Sequence, residues 1–279
     1  MDAEIVRLKK LANNIRENIV EAIASIGVGH IGGCLSIADV LAVLYGKHMR
    51  YDPKNPKMAG RDRLICSKGH AGPAIYAALA EVGFFPKEEL KTLNKDGTRL
   101  PSHCDMNKTP GVDMTAGSLG QGLSAAVGAG IGSKLSKDGA TIYAIIGDGE
   151  SQEGQIWEAA MYAGSHHLDN LIVFTDYNKM QLDGTTAEIN DLEPLADKWR
   201  AFNFAVWDIP GNDVEAIDAA VTEAKALTGK PKMIILNTVK GKGVSFVEAA
   251  KVGSHSMNIS ADDRDKAIKE LEGECRNGD

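Results

Sequence analysis

Two segments of the chain carry oxygen donors at an interval that suits a divalent cation. Asp148 lies between two glycines directly after the apolar run TIYAII, and Asn178 follows the next such run, LIVFTD. One βαβ unit fits between them, so both side chains are expected at the carboxyl ends of neighbouring parallel strands, where open α/β sheets bind ligands. Carboxylate and amide oxygens suit Mg²⁺, which also keeps phosphate oxygens in its shell. The alternative is a simple tight turn, but the strand before it and the βαβ interval favour the cation site.

Four histidines form a second group of candidate residues. They lie in glycine- or serine-containing loops next to predicted helices: His30 in GVGHIGG, His70 in SKGHAGP, His103 in LPSHCD and His255 in VGSHSM. Imidazoles can donate to phosphate and sugar oxygens and can carry protons near neutral pH. A single histidine is more often structural, but four in such loops indicate a polar site. His48, His166 and His167 are predicted to be surface or packing residues.

A glycine-rich run, GSLGQG at residues 117–122, is predicted to open a small-residue helix from Ser118 to Lys137. The unpaired N–H groups and partial positive charge of a helix amino terminus attract anions. The alternative is that this helix merely packs tightly against a neighbour. Tight packing does not exclude anion binding at the amino terminus of the same helix, and we expect that this loop binds the ligand.

Two other glycine-rich segments have different interpretations. The run GVGHIG at residues 27–32 fits the dinucleotide fingerprint literally, but a helix precedes it where that fingerprint requires a strand, so NAD is excluded. The run KGKG at residues 240–243 is either a mobile lid over the site or a solvated turn.

Alternating strands and helices must position these residues. Apolar residues recur at spacings of three and four from Ile5 to Ile26, which predicts a first amphipathic helix. Ser36 and Asp39 resemble a capping box for a second helix. Four short apolar runs are predicted to be buried parallel strands: Thr141–Ile146, Leu171–Thr175, Phe204–Ile209 and Met233–Val239. The pattern predicts an α/β fold, a parallel sheet with helices on both faces, in a single domain over residues 1–279.

Composition excludes several classes of protein. The net charge of −7 and the absence of a lysine- or arginine-rich run give no reason to expect nucleic acid. No apolar run is long enough for a membrane span, and the charged first helix is not a signal peptide. The four cysteines are far apart in the sequence and are expected to be reduced thiols in a cytoplasmic protein: Cys34, Cys66, Cys104 and Cys275.

The segment from Gly147 to Gly184, GDGESQEG…TDYNKMQLDG, resembles the thiamine diphosphate motif of the transketolase family. The resemblance implies the diphosphate-binding domain of the thiamine diphosphate-binding fold. It implies that Asp148, Asn178 and the backbone carbonyl of Met180 bind Mg²⁺, with Ca²⁺ or Mn²⁺ as substitutes. It also places Gly149 against the diphosphate.

The histidines match positions of the same family. By this resemblance His70 and His255 face the diphosphate, while His30 and His103 face the donor substrate and the reaction centre, so all four are candidate catalytic residues. An alignment shifted by three residues would give the role of His255 to Asn258.

The remaining cofactor contacts implied by the resemblance are backbone or network positions. Gly117 and Leu119 would hold thiamine diphosphate through their backbone, and Asn178 would contact both the cofactor and the metal. Glu153 matches a glutamate in the hydrogen-bond network that links the two active sites of the dimer.

The resemblance implies transfer of a two-carbon ketol unit between ketose and aldose phosphates. It covers only the first part of a complete transketolase, so we expect the pyrimidine-binding and C-terminal domains on a partner chain, with two copies of each chain in the enzyme. The donor and acceptor sugars stay open, modified sugars included. The alternatives are a 2-oxoacid dehydrogenase component, which shares the metal motif but not the histidines, a deoxyxylulose phosphate synthase, and a non-catalytic thiamine-binding subunit.

Overall fold

A computed structural model describes residues 2–277, with side chains as far as residue 273. Cys275 therefore lies outside the residues whose side chains are described. The other three cysteines, Cys34, Cys66 and Cys104, are buried free thiols. Within residues 2–277 no helix is both long enough and apolar enough to cross a bilayer.

The centre of the protein is a parallel sheet. The described part of the chain has seven strands: β1 (Val28–Gly29), β2 (Arg63–Cys66), β3 (Ile142–Gly147), β4 (Leu171–Tyr177), β5 (Ala205–Pro210), β6 (Lys232–Asn237) and β7 (Met257–Asn258). Five of them form the sheet in the order β2-β3-β4-β6-β5, all parallel, and β1 pairs with β7 in a separate antiparallel ribbon. The predicted parallel sheet is confirmed, and β2 is an additional edge strand that the sequence pattern did not reveal.

Helices cover both faces of the sheet, as predicted. The α-helices in residues 2–277 are α1 (Ala3–Ala24), α2 (Ile31–Leu35), α3 (Ala38–Val43), α4 (Gly72–Glu81), α5 (Gln121–Ser136), α6 (Gly154–Ser165), α7 (Thr186–Ile189), α8 (Leu195–Ala201), α9 (Val214–Ala226), α10 (Ser245–Ala250) and α11 (Ala261–Asn277). Successive residues of β3 point to opposite faces: Tyr143 and Ile145 enter the core under α1, α3, α4 and α9, whereas Ala144 and Ile146 enter the core under α5, α6 and α8. This alternation of apolar residues on both sides explains why the strand is one continuous apolar run in the sequence.

The expected capping box at Ser36 and Asp39 is wrong. The amino-terminal cap of α3 is Ile37, which makes no side-chain hydrogen bond to the helix. Ser36 instead donates to Asp176 on β4 at 2.7 Å, and Asp39 forms a buried ion pair with Arg16 of α1. Both side chains therefore bond to partners that are distant in the sequence, instead of capping the helix as their spacing had predicted.

Two helical glycines give a matched test of packing. A Cβ on Gly164 in α6 would lie 1.8 Å from the carbonyl oxygen of Phe202, whereas a Cβ on Gly128 in α5 would meet nothing within 4 Å. We expect Gly164→Ala to destabilise the protein by about 1–3 kcal/mol because backbone must move, and Gly128→Ala to be neutral or stabilising by up to about 1 kcal/mol. Urea unfolding followed by circular dichroism measures both changes, and equal effects of the two substitutions would contradict the close approach.

Candidate active site

The carboxyl ends of four neighbouring strands bring the candidate residues together. Ser67, Lys68 and His70 follow β2, Asp148 follows β3, Asn178 and Met180 follow β4, and Lys240 follows β6. In the ladder between β3 and β4, Gly147 is the partner of Asp176, so the two predicted side-chain metal ligands leave adjacent strands at the same edge. The loops that follow these strand ends are the polar rim of one site.

The carboxylate of Asp148 is nearly fully buried, with 2% exposure. Within the described residues only backbone N–H groups donate to it: Gly149 at 2.7 Å and Lys179. Burial and the neighbouring Asp176 carboxylate raise the pKa of Asp148 to about 7. A buried carboxylate without a cationic hydrogen-bond partner fits a site for a divalent cation, which would supply the missing charge.

Asn178 is held next to this carboxylate. Its Nδ2 donates to Asp176 at 3.1 Å, and its Oδ1 accepts from the backbone N–H of Met180 at 3.1 Å. Lys179, between them, has a positive φ of 64° and directs its N–H to Asp148. Asp148, Asn178 and Met180 are therefore linked by one turn of backbone, and their oxygens are hard donors of the kind that Mg²⁺ prefers. Among the described residues no group of three or more His, Cys, Asp or Glu side chains could hold a metal, so a cation at Asp148 would also need amide and backbone oxygens.

The backbone of Gly149 packs against the segment that follows Met180. A Cβ at Gly149 would lie 2.6 Å from the Cβ of Gln181, so only glycine fits this approach. The close contact with Gln181 explains why a glycine follows Asp148.

The four candidate histidines form one cluster. The ring of His30 lies 5.4 Å from that of His70, 5.9 Å from that of His103 and 5.3 Å from that of His255, and His70 and His255 are 5.1 Å apart. Asn258 lies outside the cluster, exposed in the ribbon strand β7. The β1–β7 ribbon pairs Gly29 with Met257, which brings the segments of His30 and His255 together from opposite ends of the sequence.

The pKa values of three of these histidines are lowered. Burial is the largest cause for His30, His70 and His255, and neighbouring imidazoles and lysines add to it. Their rings are therefore neutral at pH 7, each with one N–H donor and one acceptor nitrogen. Such rings can accept a proton from a sugar hydroxyl or donate a hydrogen bond to a phosphate.

The lowered pKa of His255, about 4, gives a test on the chain without cofactor. An unfolded histidine takes up a proton near pH 6.5, but the folded ring resists protonation until about pH 4, so stability is lost as the pH falls between these values. We expect the melting temperature of the wild type to fall more steeply from pH 6.5 to pH 4.5 than that of His255→Asn. Parallel melting curves for the two proteins across this range would contradict the burial of this imidazole.

The loop at residues 240–243 is not a solvated turn. Lys240 is 4% exposed, and the N–H of Gly241 donates to the carbonyl of Gly32 at 3.0 Å. Burial and the neighbouring Lys68 lower the pKa of Lys240. Among the described residues no carboxylate is hydrogen-bonded to its ammonium. The charge of Lys240 contributes to the lowered pKa values of His30 and His255, so a cation near the histidine cluster is available to an anion.

The glycine-rich loop before α5 borders the same cluster. The helix begins at Gln121, later than predicted, and Gly117 and Leu119 lie in the loop ahead of it. A Cβ on Gly117 would lie 4.0 Å from the imidazole of His103. The buried Glu150 carboxylate accepts from the N–H of Gly120 at 2.8 Å and fixes the loop against the end of β3.

Glu153 lies at the outer side of this loop. Glu153 is exposed at the start of α6. A Cβ on Gly120 would lie 3.4 Å from the Cβ of Glu153. The other three histidines are away from the site, as predicted: His48 bonds Asp218, His166 stacks on Tyr162 and His167 contacts the carbonyl of Gly229.

Sequence reasoning missed the charged residues beneath the site. Asp176 is fully buried and accepts hydrogen bonds from Lys68 at 2.6 Å and from Thr238. Lys68 lies two residues before His70 and Asp176 two residues before Asn178, so both stand inside the recognised motifs. A charged residue close to the end of a strand was the available signal, but the burial of these two side chains could not be predicted from their spacing.

Comparison with known proteins agrees with this geometry. The family model described as "Transketolase, thiamine diphosphate binding domain" matches residues 7–274. A 6-deoxy-6-sulfo-D-fructose transketolase subunit from Clostridium sp. (strain MSTE9) is 57% identical over 98% of this chain and 99% of its own length. An apulose-4-phosphate transketolase subunit from Actinobacillus succinogenes is 41% identical over 96% of each chain.

Solved structures show the same fold. A transketolase variant from Pichia stipitis superposes with a TM-score of 0.88 at 32% identity, covering 96% of this chain and 40% of that one. Transketolase from Campylobacter jejuni also gives a TM-score of 0.88 at 32% identity, with 98% of this chain and 43% of that one covered. The chain thus spans less than half the length of these enzymes. The relatives support the predicted transketolase subunit over the dehydrogenase and non-catalytic alternatives, and the chain belongs to the transketolase family, in which it corresponds to the thiamine diphosphate-binding domain.

Proposed function

We propose that this chain is the metal- and diphosphate-binding subunit of a two-chain transketolase that transfers a two-carbon ketol unit from a ketose to an aldose. The observation that carries the proposal is the meeting of Asp148 and Asn178 with four imidazoles and a buried lysine at one edge of the sheet. One side of this site supplies oxygens for a cation, and the other supplies donors for phosphate and sugar oxygens.

Each group of residues has a proposed task. Asp148, Asn178 and the carbonyl of Met180 would hold Mg²⁺, or Ca²⁺ or Mn²⁺ in its place, and Gly149 would let the diphosphate approach the backbone. When bound, thiamine diphosphate supplies a carbon nucleophile and an electron sink for the cleavage of the ketose. Gly117 and Leu119 would contact the cofactor through their backbone, and Glu153 would join the network between the two sites.

The imidazoles would handle protons and orient the ligands. His70 and His255 would donate to diphosphate oxygens, while a ring nitrogen of His30 or His103 would accept the proton of a donor-sugar hydroxyl. The neutral rings of His30, His70 and His255 suit these tasks, because a neutral imidazole has one acceptor nitrogen and one N–H donor.

A partner chain would complete the enzyme. This chain covers only 40% and 43% of the two solved transketolases compared above, and two similar proteins are named as subunits. We propose that the partner provides the pyrimidine-binding and C-terminal domains and that two copies of each chain assemble. The buried free thiols suit the reducing cytoplasm, where we place the enzyme.

The substrate is proposed from the 57% identical relative, which is named for 6-deoxy-6-sulfo-D-fructose. We propose that a ketose with a sulfonate at its far end is the donor and that an aldose phosphate is the acceptor. Fructose 6-phosphate is the matched competitor, because it differs from the sulfonated sugar only in the group at carbon 6.

Co-purification of the chain with its partner, followed by a sugar panel, tests the function. The complex is expected to convert a ketose and an aldose phosphate into two new sugars, detected by mass spectrometry, without lipoamide or oxidant. Higher kcat/KM for the sulfonated ketose than for fructose 6-phosphate would support the donor assignment. Decarboxylation of pyruvate with transfer to a lipoyl acceptor, and no sugar conversion, would refute the proposal in favour of a dehydrogenase component.

A further inference from the structure

A single buried carboxylate connects the cation side of the site to the histidine side. Oδ2 of Asp176 accepts from Lys68 Nζ at 2.6 Å, from Ser36 Oγ at 2.7 Å and from Asn178 Nδ2 at 3.1 Å, and Oδ1 accepts from Thr238 Oγ1. Asp176 has no exposed surface, and the side chain of Lys68 is 2% exposed. Donors from the cation side and donors from the histidine side therefore converge on one carboxylate.

This contact decides which way the amide of Asn178 faces. A carboxylate can only accept hydrogen bonds, so the group that meets Asp176 must be the NH₂ of the amide. The amide oxygen is then turned to the opposite side, toward the backbone of Lys179 and Met180, where the N–H of Met180 donates to this oxygen and the N–H of Lys179 donates to Asp148. With the amide reversed, NH₂ would point at the cation and its oxygen would face a carboxylate.

We propose that Asp176 is the positioning residue of the cation site: it fixes the amide of Asn178 with its oxygen toward the metal, and Lys68 holds Asp176 in place. This inference rests on the proposed role of Asn178 as a metal ligand. Partners that orient a ligand without touching the metal typically contribute a factor of about 10–100 in metal affinity.

The remaining contacts of the pair show why its own position is fixed. Lys68 also donates to the carbonyl of Gly33 at 2.8 Å, in the short helix α2 that follows His30. Ser36 lies just after the same helix and donates to the same carboxylate oxygen. Asp176 is thus held from two directions and has no freedom to follow a rotating amide.

Two double variants separate positioning from the ion pair. The two variants are Lys68→Met/Asp176→Asn and Lys68→Met/Asp176→Leu. Both remove the whole buried ion pair, so neither leaves a single uncompensated charge in the interior, which would be strongly destabilising. Only the asparagine version keeps an acceptor oxygen for the amide of Asn178. In the asparagine version the new NH₂ group can face Thr238, whose hydroxyl can accept.

The measurement is Mg²⁺ affinity of the subunit with its partner and saturating thiamine diphosphate, by isothermal titration calorimetry. We expect the leucine version to bind Mg²⁺ about 10–100-fold more weakly than the asparagine version, at similar melting temperatures. Equal Mg²⁺ affinity in the two double variants would overturn the proposal, because the acceptor oxygen would then not matter.

A second comparison avoids an apolar residue at position 176. It tests the contact between residues 176 and 178 even if the leucine version does not fold. Asn178→Asp places a second carboxylate beside Asp176 in the wild type. In the Lys68→Met/Asp176→Asn background it places that carboxylate beside a neutral amide, which can turn its NH₂ from Thr238 toward the new carboxylate while its oxygen accepts from the Thr238 hydroxyl. We expect the substitution to lower the melting temperature much more in the wild type than in that background. An equal decrease in both backgrounds would show that the two side chains do not interact and would overturn the proposal.

Asn178→Ala separates this inference from the proposed function. Wild-type Mg²⁺ affinity in Asn178→Ala would refute the metal-ligand role itself, and with it the reason for positioning. Weak binding by Asn178→Ala together with equal binding by the two double variants would refute only the role of Asp176.

Discussion

Replacing Asp148 with alanine is expected to abolish Mg²⁺-dependent binding of thiamine diphosphate while the fold persists. Asp148 is the one carboxylate that the proposed cation site contains, and losing it should weaken binding by more than the factor of about 10–100 typical of an outer partner. The cofactor-free variant should be as stable as the wild type or more stable, because a buried carboxylate beside Asp176 is removed.

Calorimetric titration of the complex of this chain and its partner with thiamine diphosphate, with Mg²⁺ or with a chelator, measures the effect. Glu158→Ala is the matched control, since Glu158 is a carboxylate on the nearby helix α6 that lies outside the proposed site. Cofactor affinity in Asp148→Ala equal to that of the control would remove Asp148 from the metal site.

Replacing His30 with alanine is expected to lower kcat/KM for the ketose donor by about 10²–10⁴, the usual range for a residue that carries protons in the reaction. The ring of His30 lies next to all three other imidazoles, so it occupies the centre of the cluster. Cofactor affinity should change little, because the metal oxygens and His70 remain.

Initial rates at varied ketose concentration, with cofactor affinity measured in parallel, test this expectation. His166→Ala is the control, because His166 is exposed and stacks on Tyr162 away from the cluster. Full activity of His30→Ala would show that this imidazole does not act on the substrate, whereas lost cofactor affinity would assign it to the diphosphate instead.

The elements with strong local signals were predictable from the sequence. The helix α1 and the strands β3, β4, β5 and β6 are marked by apolar periodicity or by buried apolar runs, and their order leads to a parallel sheet. The edge strand β2 could not be predicted from the sequence, because Arg63–Cys66 is only four residues long and begins with a charged residue. Its place at the edge became clear only from its pairing with β3.

The residues of the candidate site also fall into those that could be predicted from the sequence and those that could not. Asp148, Asn178 and the histidines stand in motifs whose residues are close in the sequence, and the structure brings them to one edge. The roles of Ser36 and Lys68 could not be predicted, because their partner Asp176 is far from both in sequence and becomes their neighbour only through the folded sheet. A pattern of spacing reports local bonds, whereas the buried polar network depends on tertiary contacts.

The small ribbon of β1 and β7 has a consequence for folding during synthesis on the ribosome. His30 is synthesised long before His255, yet their segments are joined strand to strand. The complete cluster of imidazoles cannot exist until His255 has been synthesised, even though domains begin to fold from the amino terminus. A nascent chain can therefore build much of its sheet while the histidine cluster still lacks one of its four rings.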